Sequence, residues 1–106
     1  MQNHRQFARQ TLRYLSDYIE QHVISLEVEP NDEDLLIIDN QNRHFLLNYH
    51  GVTHQIWYSS AISGAHHFSL QDNGVWQCTR SQRSLFDVLS IELGMITSQE
   101  IHIPHA

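Results

Sequence analysis

The hydrophobic period of this chain changes twice, and few architectures satisfy both changes. Phe7, Thr11, Tyr14, Leu15, Tyr18, Ile19 and Val23 recur at three- and four-residue intervals, with Leu12 at the margin of the stripe. That spacing predicts a helix over about 4–22 with one apolar face. The period then becomes two. In VISLEVE, Ile24, Leu26 and Val28 alternate with Ser25, Glu27 and Glu29, as in a half-buried strand. Five more short extended stretches follow: LLIID, RHFLLNYH, THQIWYS, AHHFSL and VWQCTR. Between them lie EPNDED, DNQN, YHGVT, AISGA and QDNG, rich in residues that favour tight bends. The Asn73-Gly74 pair is a strong hairpin signal. Helical spacing returns with Leu85, Val88, Leu89, Glu92, Leu93 and Ile96, predicting a second helix over about 85–97. Ser84 is placed to cap it, with Asp87 completing a variant capping box. Gly94 leaves its last turn open.

Strands joined by short hairpins pair antiparallel. One such sheet with a helix at each end of the chain closes most simply in two layers. The expected fold is α+β: a two-layer α/β sandwich, with the N- and C-terminal helices packed on one face of an antiparallel sheet of about six strands. Its other face is left to water. At 106 residues the chain is read as one domain, 1–106. Ile101 and Ile103, alternating in the tail, are expected to cover the edge of the core, and Pro104 ends regular structure.

Charge removes whole classes of function. The formal net charge is −6, from 6 Arg, no Lys and 12 acids, so nucleic-acid binding lacks its basic footprint. No apolar run approaches the roughly 20 residues of a membrane span. MQNHRQFARQ lacks the apolar run of a signal peptide and is read as the start of the first helix. A lone Cys78 allows no internal disulfide and suits a reducing compartment, so the cytoplasm is the expected location. The charges are uneven. Residues 27–39 hold Glu27, Glu29, Asp32, Glu33, Asp34 and Asp39 with no basic residue, whereas Arg5, Arg9 and Arg13 form a row on the first helix.

One strand poses a problem. In HQIWYSS, alternation puts Trp57 on the same side as the polar Gln55 and Ser59, while Ile56 points the other way. Trp is enriched at binding hot spots, so Trp57 is a candidate interface anchor. The alternative is a Trp covered by its own loops, AISGA among them. Asn48 and Gln55 either fix a partner's register or satisfy the local bends. Asp17, Glu20, Glu27 and Glu29 supply the oxygen ligands that hard cations need, with His22 beside them. Those acids are equally suited to meeting an Arg-rich patch on a partner. His66 and His67, adjacent on a strand, face opposite ways and do not form a chelating pair. No zinc spacing, phosphate-binding loop, nucleophile elbow or acid/base pair is present, so enzymatic chemistry is not expected.

The block FLLN-x6-HQIWYSS-x3-SGAHHF, residues 45–68, resembles the frataxins in their bacterial form. VWQCTR resembles the family's next strand, SLFDVLSIEL its second helix, and QTLRYLSDYIEQ its first. The resemblance spans nearly the whole chain. It implies a small α/β sandwich without enzymatic activity of its own. It implies weak iron binding, as Fe2+ or Fe3+, through carboxylates of the first helix and first strand. It also implies docking on the cysteine desulfurase and iron–sulfur scaffold protein, whose rate bacterial members tune, by a monomer in the cytoplasm. Carried onto this sequence, Trp57 takes the exposed sheet Trp, Asn48 and Gln55 its polar flanks, and His67 a position often basic or histidine. Gly64 takes the loop glycine. Asp17, Glu20, Glu27 and Glu29, with His22 nearby, take what remains of the acidic ridge. The ridge is reduced, because Arg5, Arg9 and Arg13 stand where the family's first helix usually carries acids. Three readings follow: an iron-responsive modulator of cluster assembly, a metal-independent protein-interaction module on the same scaffold, and a His-rich metal store.

Overall fold

The computed structural model describes residues 3–105. Its element order is α1 (His4–His22), β1 (Glu27–Pro30), β2 (Asp34–Ile38), β3 (His44–His50), β4 (Gln55–Ser60), β5 (Gly64–Leu70), β6 (Trp76–Cys78) and α2 (Leu85–Thr97). The six strands form one sheet in chain order, every pair antiparallel. This is the expected two-layer sandwich. α1 lies over β1, β2 and β3, and α2 packs against β6.

Both helices start where their caps dictate. The Asn3 side chain accepts the Gln6 N–H at 3.0 Å, and the Ser84 hydroxyl accepts the Asp87 N–H at 3.1 Å. α1 buries Ala8, Leu12, Leu15 and Ile19 completely or nearly so. Leu12 therefore sits in the middle of the buried stripe, not at its margin. Tyr14 and Tyr18 are only half-buried, because they lean toward the tail. Beneath the helices, Leu35, Ile37, Phe45, Leu47, Ile56, Tyr58 and Phe68 are fully buried. Each such side chain contributes roughly 1.5–3 kcal/mol of apolar transfer energy.

The first strand starts later than the alternation suggests. Residues 24–26 form a bend, and Ile24 is 88% exposed. The chain must reverse between α1 and the sheet, and the Val23 and Leu26 side chains are buried in that reversal instead of in a ladder. A two-residue period over so short a stretch serves a bend as well as a strand.

The tail crosses the helix layer. Ile101 and Ile103 are buried, and the Ile103 N–H donates to Ser90 Oγ on α2 at 2.9 Å. From α1, the Tyr14 hydroxyl donates to the Pro104 carbonyl at 2.7 Å and Tyr18 to the His102 carbonyl at 3.1 Å. Gly94 belongs to this arrangement. A Cβ there would meet the Gln99 carbonyl at 2.9 Å, so the returning chain needs the glycine, and α2 continues through it to Thr97. Gly74, at φ +84°, closes the β5–β6 turn that Asn73-Gly74 predicted.

Candidate functional site

Register fixes which side chains share the uncovered face of the sheet. Asp34 pairs with Asn48, Asn48 with Trp57, and Trp57 with His67, so one row crosses four strands. A second row runs from His50 through Gln55 to Ser69 and Gln77. No helix lies against this face. Trp57, Asn48, Gln55 and His67 are thus brought together by register, where alternation in HQIWYSS placed only Trp57 and Gln55 of these four on one side.

Trp57 is held on both sides. The His50 ring stacks on the indole at a centroid distance of 3.8 Å and an interplanar angle of 8°, and the His67 ring at 4.5 Å and 16°. The indole N–H donates to Gln55 Oε1 at 2.9 Å, and Gln55 Nε2 donates to Ser69 Oγ at 3.2 Å. His50 is anchored through Nδ1 to Thr53 Oγ1 at 2.9 Å. Stacked aromatic pairs contribute about 0.5–1.5 kcal/mol each beyond their area. The result is a fixed aromatic ridge in place of a mobile exposed Trp. It is covered by histidines, not by the AISGA loop. Sequence reasoning missed His50, although it shares the face parity of Asn48 and the register of the hairpin would have put it beside Trp57.

Toward β1 the same face carries the half-buried Leu36 and Ile38 and the exposed Leu46. Glu27 pairs with Ile38 and Glu29 with Leu36. Both acids are exposed at the edge strand, on the face away from the helices. Asp17, Glu20 and His22 are exposed on α1, in the other layer, where the His22 ring lies 4.5 Å from Tyr18. Among the described residues, no three His, Cys, Asp or Glu side chains gather closely enough to hold an ion. What the acids make is a charged edge.

The row of arginines on α1 has its own use. Arg5 and Arg9 both donate to Glu33, Arg9 at 2.8 Å. The Arg5 hydrogen bond, then that of Arg9, holds the Glu33 carboxyl below the usual carboxylate range, and Glu33 in turn raises Arg5. Arg5 also lies over the Tyr49 ring at 5.2 Å.

A polar cluster, buried at Glu92, Tyr58 and Ser60 and exposed at Ser63, lies under the helix layer. Glu92 accepts from Tyr58 at 2.8 Å, from Ser60 at 2.7 Å and from Ser63, while Ser63 Oγ also meets His66 Nε2 at 2.7 Å. Burial, then the Glu92 charge, pushes the Tyr58 hydroxyl far above its usual value. Serine, histidine and glutamate in contact suggest a catalytic triad, but the polarity is reversed. The single Ser63 proton goes to the carboxylate, so His66 must donate to Ser63 and cannot accept from it as a general base would. The cluster ties α2 to β4. Glu92 occupied an apolar helical position in the sequence, and that was the signal for a buried partner.

The profile of the frataxin-like domain matches residues 1–99. The chain belongs to the frataxin family. Among curated relatives, the iron–sulfur cluster assembly protein CyaY of Neisseria meningitidis serogroup C is 27% identical over 90 residues, covering 85% of this chain and 82% of its own. The Neisseria gonorrhoeae protein of the same name matches to the same extent. Among solved structures, the frataxin of Psychromonas ingrahamii aligns with a TM-score of 0.86 at 20% identity, covering 96% of this chain and 95% of its own. A trimeric yeast frataxin complexed with ferrous iron gives 0.72 at 23% identity, covering 93% and 89%. These two likenesses establish the frataxin fold. Among the described residues, no helix is long and apolar enough to cross a membrane.

Proposed function

We propose that this protein modulates iron–sulfur cluster assembly by docking on the cysteine desulfurase–scaffold complex through the open sheet face. The observation that carries the reading is the ridge of His50, Trp57 and His67, stacked, partly exposed and fixed by Gln55 and Thr53. A preorganised aromatic anchor costs little entropy to dock, which is how a small surface gains affinity. Relatives named as iron–sulfur cluster assembly proteins support the pathway. Asn48 and His67 flank the anchor in its row, and Glu27 and Glu29 offer a basic partner a charged edge that speeds encounter. The protein changes a partner's rate and performs no bond chemistry itself, in the cytoplasm and as a monomer.

Iron is the cargo or signal in the fuller version of this reading. Asp17, Glu20, Glu27 and Glu29, with His22, would hold ferrous iron by single carboxylate contacts and keep most of its water. The absence of a gathered ligand set among the described residues favours a second version, in which docking is independent of metal. Anaerobic ferrous iron titrated into labelled protein separates them by NMR. Shifts and broadening confined to those acids support the iron-linked version. Unmoved signals there, with desulfurase binding lost in Trp57→Ala and the fold retained, leave docking alone. Undiminished binding by Trp57→Ala would sink both.

A further inference from the structure

Two of the three arginines that make no ion pair among the described residues stand in one place. Of the 6 arginines, Arg5 and Arg9 pair with Glu33 and Arg43 with Asp39. Among the described residues, Arg13, Arg80 and Arg83 make no ion pair. Arg80 and Arg83 stand together in the turn after β6 and line a cleft of about 680 Å³ with His66, His67 and Cys78. Its one acid is Glu92, whose oxygens are taken by Tyr58, Ser60 and Ser63. Asp87, the next acid along α2, faces His105 at 3.6 Å. A chain with net charge −6 has therefore kept two arginines without an acidic partner beside a cleft whose one acid is engaged by three hydroxyls.

A buried thiol, Cys78, also lines the cleft. Burial would raise the Cys78 thiol, but the Ser81 hydroxyl, the Ser81 and Arg80 N–H groups and the Arg80 charge together hold it below its usual value. Both arginines are exposed, so nothing grips one small anion from all sides. His67 both lines the cleft and stacks on Trp57, so that side chain joins the cleft to the ridge.

Charge is therefore divided between the two edges of the sheet. Glu27 and Glu29 lie on the edge strand β1, the aromatic ridge on the middle strands, and Arg80 and Arg83 in the turn after the opposite edge strand, β6. Strands lie about 4.8 Å apart, so Glu29 on β1 and His67 on β5 are separated by roughly 19 Å. We propose that the cleft lined by Arg80, Arg83, His66 and His67 captures an acidic, carboxylate-bearing segment of the protein that docks on the Trp57 face, and so fixes the orientation of docking. This rests on the docking reading for the identity of the partner, though not for the capture itself. A partner with a basic patch at one end and acids at the other fits one way round; the reversed pose sets like charges against each other at both ends.

The test uses the full chain and a hexaglutamate peptide, followed by NMR at low salt. Shifts are expected at His66, His67, Thr79, Arg80, Ser81 and Arg83. Arg80→Ala with Arg83→Ala should weaken the peptide at least about ten-fold, and 0.5 M salt should do the same. Both residues are exposed turn positions, so the variant keeps the fold. Shifts elsewhere, indifference to the substitutions, or inorganic phosphate binding as well as the peptide would overturn the proposal. The desulfurase–scaffold complex gives a second measurement. If Trp57→Ala abolishes its binding while Arg80→Glu with Arg83→Glu leaves it unchanged, the capture proposal falls and docking stands. If the wild type ignores the complex yet holds the peptide in the cleft, capture stands and the docking reading falls.

Discussion

The two tryptophans of this protein sit on opposite faces of one sheet. Trp76 on β6 faces the helices at 3% exposure, its ring 6.2 Å from Phe7 and its N–H donated to Thr11 Oγ1 at 3.1 Å. Trp57 on β4 faces water, between two imidazoles, its N–H donated to Gln55 two residues away. Both indole N–H groups are satisfied, so hydrogen bonding does not distinguish them. The neighbours do. Trp76 is surrounded by groups from two layers, whereas Trp57 is held only by its own face. The first placement contributes to folding. The second fixes a side chain while leaving its edge available, an arrangement suited to recognition.

Truncating each in turn should give the largest effects and break the comparison if it is wrong. Trp76→Ala should cost about 4 kcal/mol of stability, the range for deleting a buried aromatic. Trp57→Ala should cost about 1–3 kcal/mol, the sum of two stacking contacts. On docking the order reverses. Trp57→Ala should weaken desulfurase–scaffold binding by at least ~2 kcal/mol, about thirty-fold in Kd. Denaturant melts and a binding titration decide it, and equal losses of stability would show that the open face is a second core. Glu92 offers the next test, within the covered layer. Glu92→Ala should lose about 3 kcal/mol, because the Tyr58 and Ser60 hydroxyls are left in a buried place without their acceptor. Docking should survive that change as long as the protein remains folded.

Much of this was legible in the sequence, and the failures share a cause. The helix ranges, the number of strands and the face of Trp57 all follow from local periodicity. His50 against Trp57, Ser63 against His66 and Glu92, and the Arg80–Arg83 cleft depend on strand register or on the packing of α2. No local pattern encodes those. The Ile24 strand position failed for a related reason: alternation says which residues want burial, and the bend at 24–26 satisfied Val23 and Leu26 without a ladder. The acidic ridge stands differently. All four of its acids are exposed, but the sheet directs Glu27 and Glu29 away from the helix layer that carries Asp17 and Glu20.

A smaller effect sits at the turn between β2 and β3. Asp39 is buried, and its oxygens accept the Gln41 and Arg43 N–H groups at 3.0 and 2.8 Å and Arg43 Nε at 2.7 Å. Burial alone would raise this carboxyl, but those donors outweigh it and hold the group below its ordinary value. A depressed native value means stability that is fully present above the unfolded value of about 3.9 and lost as pH falls through the native one. Acid melts of the wild type should therefore fall below about pH 4, and Asp39→Asn should flatten that fall at a cost near 1–2 kcal/mol at neutral pH. An unchanged acid limb would mean that the Arg43 donors do not favour the charged form.

The smallest effect belongs to the Arg5–Glu33–Arg9 fork, which joins the start of α1 to the β1–β2 turn. Glu33 is held below the carboxylate range, so its contribution also disappears on acidification and is present throughout neutral pH. The arginine side chains are about half exposed, so water and salt screen the pairs. Glu33→Gln should move the melting midpoint slightly in dilute buffer and not at all in 1 M salt. Its larger consequence is electrostatic. Freed from Glu33, Arg5 and Arg9 would add two unpaired positive charges to the helix layer and leave the open face as it is. If docking depends only on the Trp57 face and its two charged ends, desulfurase–scaffold affinity should not change in Glu33→Gln. A change there comparable to that of Trp57→Ala would place the helix layer in the interface and end the division of labour between the two faces.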